Sequence, residues 1–244
     1  MVMEPERKER TQVIFNGQEV EEKISGPEAI SHAEKTVSRQ ILEGFYFPGE
    51  KISDSVISDE LGISRTSVRE SFQRLVKDGL LTIMPNRGAF VAQPSDKEII
   101  ELFEIRMALE VYAVGLATQR APIEKILSLK EMLSITKMSM VEHGGRYPIE
   151  QDFHATVCAM AGNQLLTDEI ERIHHRIKLI RLKSGYKPAR AKVAYFEHLA
   201  ILEAMLARDV VRAQKAMVTH LENSQDSSQD LAVQNPTEQT LLSR

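Results

Sequence analysis

The first third of the chain contains three short segments in which apolar residues recur every three or four positions, followed by two short apolar runs. This pattern predicts helices over residues 29–44, 54–61 and 64–78, and strands over residues 80–83 and 89–91. Ser64 is suited to cap the third helix, and Gly62 and Gly79 interrupt the helical pattern before and after it. A Pro- and Gly-containing turn joins the two strands. The order of helices and hairpin predicts a winged helix-turn-helix domain over residues 29–93.

Beyond Pro94 the pattern is helical throughout, with interruptions at Gly and Pro. Six helices are predicted, over residues 95–119, 122–143, 148–161, 163–184, 188–207 and 209–224. The predicted fold class is therefore mainly α, with the winged helix-turn-helix followed by an antiparallel all-helical bundle of about six helices over residues 94–224. Residues 1–28 are predicted to form a mobile arm with one short strand at residues 13–15, and residues 225–244 a disordered tail.

Composition narrows the class of protein further. Trp is absent and aromatic residues make up 5% of the chain, which favours helical packing over a large β-sandwich. The single cysteine, Cys158, has no partner for an internal disulfide and favours a reducing cytoplasm. Neither a secretory signal nor an apolar window of about 18 residues is found, so we expect a cytoplasmic protein with no membrane partner. The net charge of −4 does not indicate nucleic-acid binding, but a local basic helix can still bind DNA.

The predicted helix that begins after Ser64 is such a basic helix. Between Arg65 and Lys77 it carries four basic residues and one acidic residue, and its apolar positions form a stripe on one face. The N-terminal end of such a helix enters the major groove, where Arg can bind two guanine acceptors and Ser or Thr can reach phosphates. Arg87, in the hairpin, is placed to reach the DNA backbone or the minor groove. The alternative is an amphipathic helix whose basic face is merely solvated.

This part of the chain resembles the GntR-family winged helix-turn-helix. The resemblance covers about 60 residues and rests on Phe47-Pro48-Gly49-Glu50, Leu61-Gly62-Ile63-Ser64-Arg65-Thr66-Ser67-Val68-Arg69-Glu70, Leu75, Asp78-Gly79-Leu80 and Arg87-Gly88-Ala89-Phe90-Val91. It implies that the partner is double-stranded operator DNA. The DNA-contacting positions that it implies are Ser64, Arg65, Thr66, Ser67 and Arg69, with Gly88 at the tip of the wing. Ser67 departs from the family, which usually has Pro at that position.

In the second half of the chain, Arg106 stands in a nearly continuous apolar segment, so its guanidinium is predicted to be buried. A buried guanidinium needs a partner. Glu110, four residues further along the helix, is one candidate. The carboxylate of a bound ligand is the other, because it matches the two-pronged geometry of Arg.

Three histidines lie on the apolar faces of three separate predicted helices: His154, His198 and His220. Glu150 precedes His154 by four residues, so both occupy one helical face. One carboxylate and three imidazoles inside a bundle would bind a divalent transition metal such as Zn²⁺, Ni²⁺ or Mn²⁺. Hydrogen-bonded core histidines are the alternative interpretation.

The run Glu150-Gln-Asp-Phe-His154, then Ala161-Gly162-Asn163, His198-Leu-Ala-Ile-Leu-Glu-Ala, Asp209 and His220, resembles the FadR C-terminal (FCD) effector domain, and six helices suggest its VanR-like branch. The resemblance implies a metal held by Glu150, His154, His198 and His220, with Glu150 in place of the family's Asp and Asp152 as a second choice. It also implies a small carboxylate effector beside the metal. The residues expected to bind this effector are Arg106, Asn163 and Arg176, with Arg172 and Arg181 as further candidates, although Asn163 also suits a helix cap. His174 and His175 are expected at the surface or at the rim of the pocket, with a place in the pocket lining as the alternative for His174.

Together these features predict a ligand-responsive transcription regulator, of the repressor type, that works as a homodimer on a palindromic operator. The two domains would pivot near Gln93-Pro94 when the ligand binds. Two alternatives stay open at this point. A metal-dependent enzyme is one, although the chain has no HExxH motif, phosphate-binding Gly loop or nucleophile elbow. The other is an architectural DNA binder without sequence preference.

Overall fold

The computed structural model describes residues 12–15, 18–21, 25–142, 150–184 and 188–229. The first described element is an antiparallel hairpin of β1 (Gln12–Phe15) and β2 (Gln18–Glu21). Only its first strand was predicted. Asn16-Gly17, the pair between the strands, is the strongest short sequence signal for a hairpin, and it identifies the second strand. The remainder of the predicted arm before residue 25, and the predicted tail from residue 230, lie outside the described residues.

The next elements form the winged helix-turn-helix. In chain order they are α1 (Gly26–Leu42), β3 (Lys51–Ile52), α2 (Asp54–Leu61), α3 (Arg65–Lys77), β4 (Leu81–Met84) and β5 (Gly88–Val91). The sheet is antiparallel with the order β3-β5-β4. Strand β3 was not predicted because two residues are too short to show an alternating pattern. Gly62, between α2 and α3, has a φ of +66°, which a residue without a Cβ adopts at little cost.

A single apolar core holds this domain together. It is formed by side chains from all three helices and the sheet, among them Val37, Ile41, Ile57, Val68, Phe72, Leu75, Leu80 and Val91. Ser64 caps α3, since its Oγ accepts a hydrogen bond from the backbone N–H of Ser67 at 3.1 Å. The cap and the buried stripe fix how α3 is rotated, and therefore which of its side chains face outward.

The rest of the described chain is helical. Its elements are α4 (Asp96–Arg120), α5 (Ile123–Glu142), α6 (Glu150–Met160), α7 (Gln164–Ser184), α8 (Pro188–Leu206) and α9 (Val210–Gln229). Helix α4 begins with a capping box between Ser95 and Glu98 and packs against α6, α7, α8 and α9. The predicted mainly helical fold, with a winged helix-turn-helix followed by a helical bundle, is confirmed.

Helix α9 continues five residues past its predicted end at residue 224. Ser224 is buried, and its Oγ accepts a hydrogen bond from Arg190 of α8 at 2.8 Å. The Oγ of Ser228 in turn donates to the backbone carbonyl of Ser224. These contacts stabilise a polar segment whose composition alone indicates disorder.

Helix α7 joins the two domains. Leu179 is fully buried in the core of the winged helix-turn-helix, and Arg172 lies 3.9 Å from the carboxylate of Asp78. The side chain of Arg176 packs against Gly79, just beyond α3, and pairs with Glu98 at 3.1 Å. Among the described residues, no helix is both long and apolar enough to span a membrane.

Candidate functional site

The outer face of α3 presents the predicted DNA-contacting arginines. The side chains of Arg65 and Arg69 are 57% and 65% exposed, and Thr66 between them is also exposed. Ser67 instead is buried, and its hydroxyl lies 2.9 Å from the hydroxyl of Ser64. Ser64 and Ser67 therefore build the start of the helix. The predicted side chains that are exposed at this end are Ser64, Arg65, Thr66 and Arg69.

A single carboxylate accepts hydrogen bonds from both arginines. Asp54, the first residue of α2, accepts a hydrogen bond from Nη2 of Arg65 at 2.8 Å and another from Nε of Arg69 at 2.5 Å. Although partial burial by itself would raise the pKa of Asp54, the hydrogen bonds and charges of the two arginines lower it. The carboxylate is therefore ionised at neutral pH. The sequence analysis did not find this residue.

The wing places Arg87 and Gly88 at an exposed turn between β4 and β5. Asn86 and Gly88 have φ values of 60° and 100°, so the turn uses two residue types that tolerate this backbone conformation. The Arg87 guanidinium lies 5.6 Å from the ring centroid of Phe90. Stacking on this ring restricts the arginine while leaving its charge at the tip of the hairpin.

The three predicted histidines meet inside the helical domain. His154 comes from α6, His198 from α8 and His220 from α9, and all are buried. The Nε2 atom of His220 lies 3.0 Å from Nε2 of His154 and 3.3 Å from Nε2 of His198. The Phe153 ring stacks on His198 with a centroid distance of 3.8 Å, which fixes that imidazole. Three imidazole nitrogens therefore converge on one point.

Two carboxylates orient two of these imidazoles through the Nδ1 atoms, on the side of each ring away from Nε2. Nδ1 of His154 donates to Glu110 at 2.6 Å, and Nδ1 of His220 donates to Glu197 at 2.7 Å. With the proton of each ring on Nδ1, the Nε2 lone pairs of both histidines face each other. Two lone pairs at this distance repel unless a cation lies between them. Carboxylates behind the ligating histidines are typical of metal sites, where they fix the tautomer.

For two of the three imidazoles, His154 and His198, a proton is poorly suited to be that cation. Burial lowers the pKa of His154 to about 3, even though Glu110 by itself would raise it. Burial, together with His220 and His154, also lowers the pKa of His198 well below its ordinary value. Neutral imidazoles at neutral pH are the form that binds transition metals, so this donor set fits a divalent metal.

A second group, Glu110, His154 and His174, also lies close enough to hold an ion. The Nε2 atom of His174 is 2.9 Å from Glu110, but Nε of Arg106 lies 2.6 Å from the same oxygen. A metal ion placed there would meet the guanidinium charge. Burial alone would raise the pKa of Glu110, yet Arg106 and the two histidines lower it well below its ordinary value. The negative charge of this carboxylate is thus already balanced by neighbouring side chains. The three-histidine group is therefore the better metal site.

A small cavity lies beside the histidines. It has a volume of about 10 Å³, room for roughly one water molecule, and is lined by Arg106, His154, His174, Ile177 and Arg181. Arg106 is 1% exposed, and its Nη1 has no hydrogen-bond partner among the described residues. Glu110 is the internal partner that the sequence suggested for Arg106, but it leaves one end of the guanidinium unsatisfied. A buried N–H donor that faces a cavity favours an anionic ligand there.

The structure separates the other predicted site residues. Asn163 is exposed and caps α7, accepting a hydrogen bond from the backbone N–H of Leu166 at 3.2 Å. Arg176 and Arg172 line a different, larger groove between α7 and the winged helix-turn-helix. Glu150 is the first residue of α6, and its side chain, like that of Asp152, lies outside the described residues.

Sequence reasoning missed several members of this site. Glu197 was not considered, nor was Arg190, whose Nη1 donates to Glu197 at 2.8 Å. His174 was expected at the surface or the rim, with the pocket lining as the alternative, and it is found buried against Glu110 at the cavity. A signal was available for it, because His174, Ile177 and Arg181 recur at helical spacing and so share one face of α7.

Comparison with known proteins agrees with this geometry. The model of the FCD domain matches residues 101–223, and the model of the bacterial regulatory proteins of the gntR family matches residues 29–91. The chain therefore belongs to the GntR family of bacterial regulators, in the group with an FCD domain.

Proteins that are similar to this one over most of its length are also named as transcription regulators. The HTH-type transcriptional regulator YdhC of Bacillus subtilis is 27% identical over 75% of this chain and 84% of its own length. The HTH-type transcriptional repressor RspR of Escherichia coli is 25% identical over 82% of this chain and 89% of its own length. These relatives are named as transcription regulators, which favours that class over the metal-dependent enzyme.

Solved structures share the fold. A GntR transcriptional regulator of Rhodococcus sp. RHA1 superposes with a TM-score of 0.72 at 20% identity, covering 82% of this chain and 96% of that one. McbR/YncC of Escherichia coli gives a TM-score of 0.71 at 22% identity, covering 84% and 98%. The two-domain architecture is therefore that of GntR-type regulators, which bind DNA.

Proposed function

We propose that this regulator is a metal-containing repressor whose helical domain senses a small organic acid and thereby controls operator binding. DNA binding is assigned to residues 29–93 and sensing to residues 94–224. The observation that carries the sensing part is the pair of Nε2 atoms of His154 and His220, 3.0 Å apart with both Nδ1 atoms bound to carboxylates. Without a cation between them, this arrangement would be electrostatically unfavourable.

The proposed metal is a divalent transition ion, Zn²⁺, Ni²⁺ or Mn²⁺, held by His154, His198 and His220. Glu150 is proposed as the fourth protein ligand, because it stands one helical turn before His154 on α6. Such a donor set leaves coordination positions open for ions that take more than four ligands. The metal would supply a Lewis-acidic position for an anion.

The proposed effector is a small carboxylate that occupies the cavity beside the histidines. Nη1 of Arg106 is the buried donor available to it, with Arg181 at the same cavity. The cavity as it stands, about 10 Å³, holds roughly one water molecule, so a bound acid must be short and must displace part of the lining side chains. Because Asn163 caps a helix and Arg176 lies in the other groove, neither is included in this effector site.

On the DNA side, Arg65, Thr66 and Arg69 are proposed to read base edges in the major groove, with the exposed Ser64 beside them and Arg87 and Gly88 of the wing against the backbone or the minor groove. One such helix covers only a few base pairs. Useful selectivity therefore needs a homodimer on a palindromic site, in the cytoplasm where the chromosome lies.

Helix α7 is the proposed connection between the two sites. Its residues His174, Ile177 and Arg181 line the cavity, whereas Leu179 is buried in the core of the DNA-binding domain. A ligand that favours one position of α7 would therefore favour one placement of the DNA-binding domain, with Gln93-Pro94 as the hinge. A named repressor among the relatives supports repression as the mode of regulation.

The test begins with elemental analysis and mass spectrometry of metal and small molecules released from the purified protein. A duplex selected by the wild-type protein from a random library is then compared with a scrambled duplex of equal length at fixed salt. We expect stoichiometric metal, selective binding, and weaker operator binding when the released acid is added back. Arg65→Ala or Arg69→Ala should abolish selectivity with the dimer intact. Equal affinity for both duplexes would support an architectural DNA binder instead.

A further inference from the structure

Asp54 connects the two helices of the helix-turn-helix at the point where the arginines emerge. Its Oδ1 accepts from Arg65 and its Oδ2 from Arg69, so both oxygens of a single carboxylate are used. The Asp54 side chain is only 19% exposed, whereas the arginine side chains are more than half exposed. The carboxylate is therefore the fixed member of this cluster, and the arginines are the members that it restrains.

The atoms used in these two hydrogen bonds matter for recognition. Arg69 donates through Nε, which leaves both of its terminal amino groups available, and Arg65 donates through only one terminal amino group. The two residues are four positions apart on α3 and lie on one face of the helix. Each arginine therefore keeps N–H donors directed away from Asp54, where they can meet the acceptors of a base edge.

We propose that Asp54 is a specificity-determining positioning residue, which holds Arg65 and Arg69 toward base edges and lowers the affinity for DNA of any sequence. An unrestrained arginine reaches phosphates on any duplex, because its long side chain has many rotamers. A restrained arginine gives up some of these contacts and keeps a defined geometry at the bases. The negative charge of Asp54 also repels the DNA backbone equally for every sequence. This inference rests on the proposed operator binding.

The test variant is Asp54→Asn in the full-length dimer, which removes the charge and keeps the size of the side chain. The matched control is Asp59→Asn. Asp59 is exposed on the same helix and forms no ion pair with any residue that the structure describes, so its replacement removes one charge without releasing an arginine. Asp54→Glu is the rescue variant. The probes are the duplex selected by the wild-type protein and its scrambled counterpart, each titrated at several salt concentrations.

Loss of charge alone should raise the affinity for both duplexes to a similar extent in Asp54→Asn and Asp59→Asn. Only Asp54→Asn should reduce the ratio of operator affinity to scrambled affinity, by about tenfold. Its binding to the scrambled duplex should also depend more steeply on salt, by about one phosphate contact for each released arginine. Asp54→Glu should recover part of the ratio.

An unchanged ratio in Asp54→Asn, with wild-type protein that does discriminate, would overturn the inference and leave the proposed function intact. If the wild-type protein itself shows no preference, the proposed function fails instead. Thermal melting by circular dichroism checks the fold of each variant. Should Asp54→Asn melt below the assay temperature, Asp54→Ser, which is compatible with the start of a helix, replaces it with the same two outcomes.

Discussion

Nε2 of His154 and Nε2 of His220 lie 3.0 Å apart, while Nδ1 of each ring is hydrogen-bonded to its own buried or half-buried glutamate. The carboxylates Glu110 and Glu197 thus act alike on two histidines from different helices. They set the tautomer and the direction of each lone pair, so that both acceptors point at one position. A core that only needed hydrogen-bonded histidines would place a donor opposite each acceptor. The arrangement therefore indicates a cation site inside a regulator.

The first prediction concerns metal content. His198→Ala combined with His220→Ala removes two of the three converging nitrogens, so purified protein should lose nearly all of its bound transition metal. His32→Ala is the control, because His32 is exposed on α1 in the other domain, and it should keep the wild-type metal content. Elemental analysis per mole of chain is the measurement. Metal content equal to wild type in the double variant would discard this ligand set.

The second prediction concerns the carboxylate behind His220. Glu197→Gln removes the charge that fixes His220, so metal affinity should fall by about 10- to 100-fold while the three nitrogens stay in place. Glu203→Gln, an exposed acid on the same helix, should leave the affinity unchanged. Competition against a fluorescent chelator measures both. Equal affinities would mean that Glu197 serves only its contacts with Arg190 and Asn223.

The third prediction distinguishes the two grooves in which an acid could bind. Arg106→Lys keeps the charge beside Glu110 but removes the planar fork, so affinity for the acid should fall by about tenfold or more with metal content preserved. Arg176 lies in the groove between the domains, so Arg176→Lys should have little effect on the affinity for the acid. Isothermal titration with the acid recovered from the wild-type protein measures this. If Arg176→Lys weakens binding of the acid more than Arg106→Lys does, the effector binds in the interdomain groove.

The fourth prediction concerns the contact between the domains. A Cβ added at Gly79 would lie 2.6 Å from Cδ of Arg176, and the backbone there has a φ of +71°. Gly79→Ala should therefore destabilise the protein by about 1–2 kcal/mol through strain and the displaced arginine. Arg176→Ala alone should cost about 1 kcal/mol or less, because it removes a partly exposed ion pair and the packing of the Arg176 stem against Gly79.

The double variant separates the two causes. If Arg176 is displaced by the new methyl group, Gly79→Ala with Arg176→Ala should be less destabilised than the two single effects added together. Urea unfolding followed by circular dichroism gives the three free energies of unfolding. Simple additivity would show that the backbone conformation of Gly79, and not its contact with α7, accounts for the loss.

Most element boundaries were available from the sequence because their causes are local. Helix α2 was predicted at residues 54–61 and is found there, since Ser53 and Gly62 mark its two ends. The missed strand β3 shows where local information stops being enough. Strand β3 forms only because β5, some 38 residues later, pairs with it as Lys51 with Phe90. The residues of such a short strand do not identify the strand with which it pairs.

The candidate site likewise contains features that local sequence patterns predict and features that they do not. That His154, His198 and His220 lie on apolar faces follows from helical spacing, and so do the exposed positions of Arg65 and Arg69. Ser67 was expected to contact DNA from the family resemblance. In the structure it is buried, with its hydroxyl 2.9 Å from that of Ser64, a placement that the resemblance did not give.

By itself the sequence determined the order of the elements, the two domains and the residue types that carry the chemistry, because periodicity, caps and turns act between neighbours. Only the tertiary structure decided which groups meet. Glu110 reaches His154 across 44 residues, and Asp54 reaches Arg69 across 15. Such pairs depend on how packed helices are placed and rotated in three dimensions, and that is settled by the summed fit of the whole core.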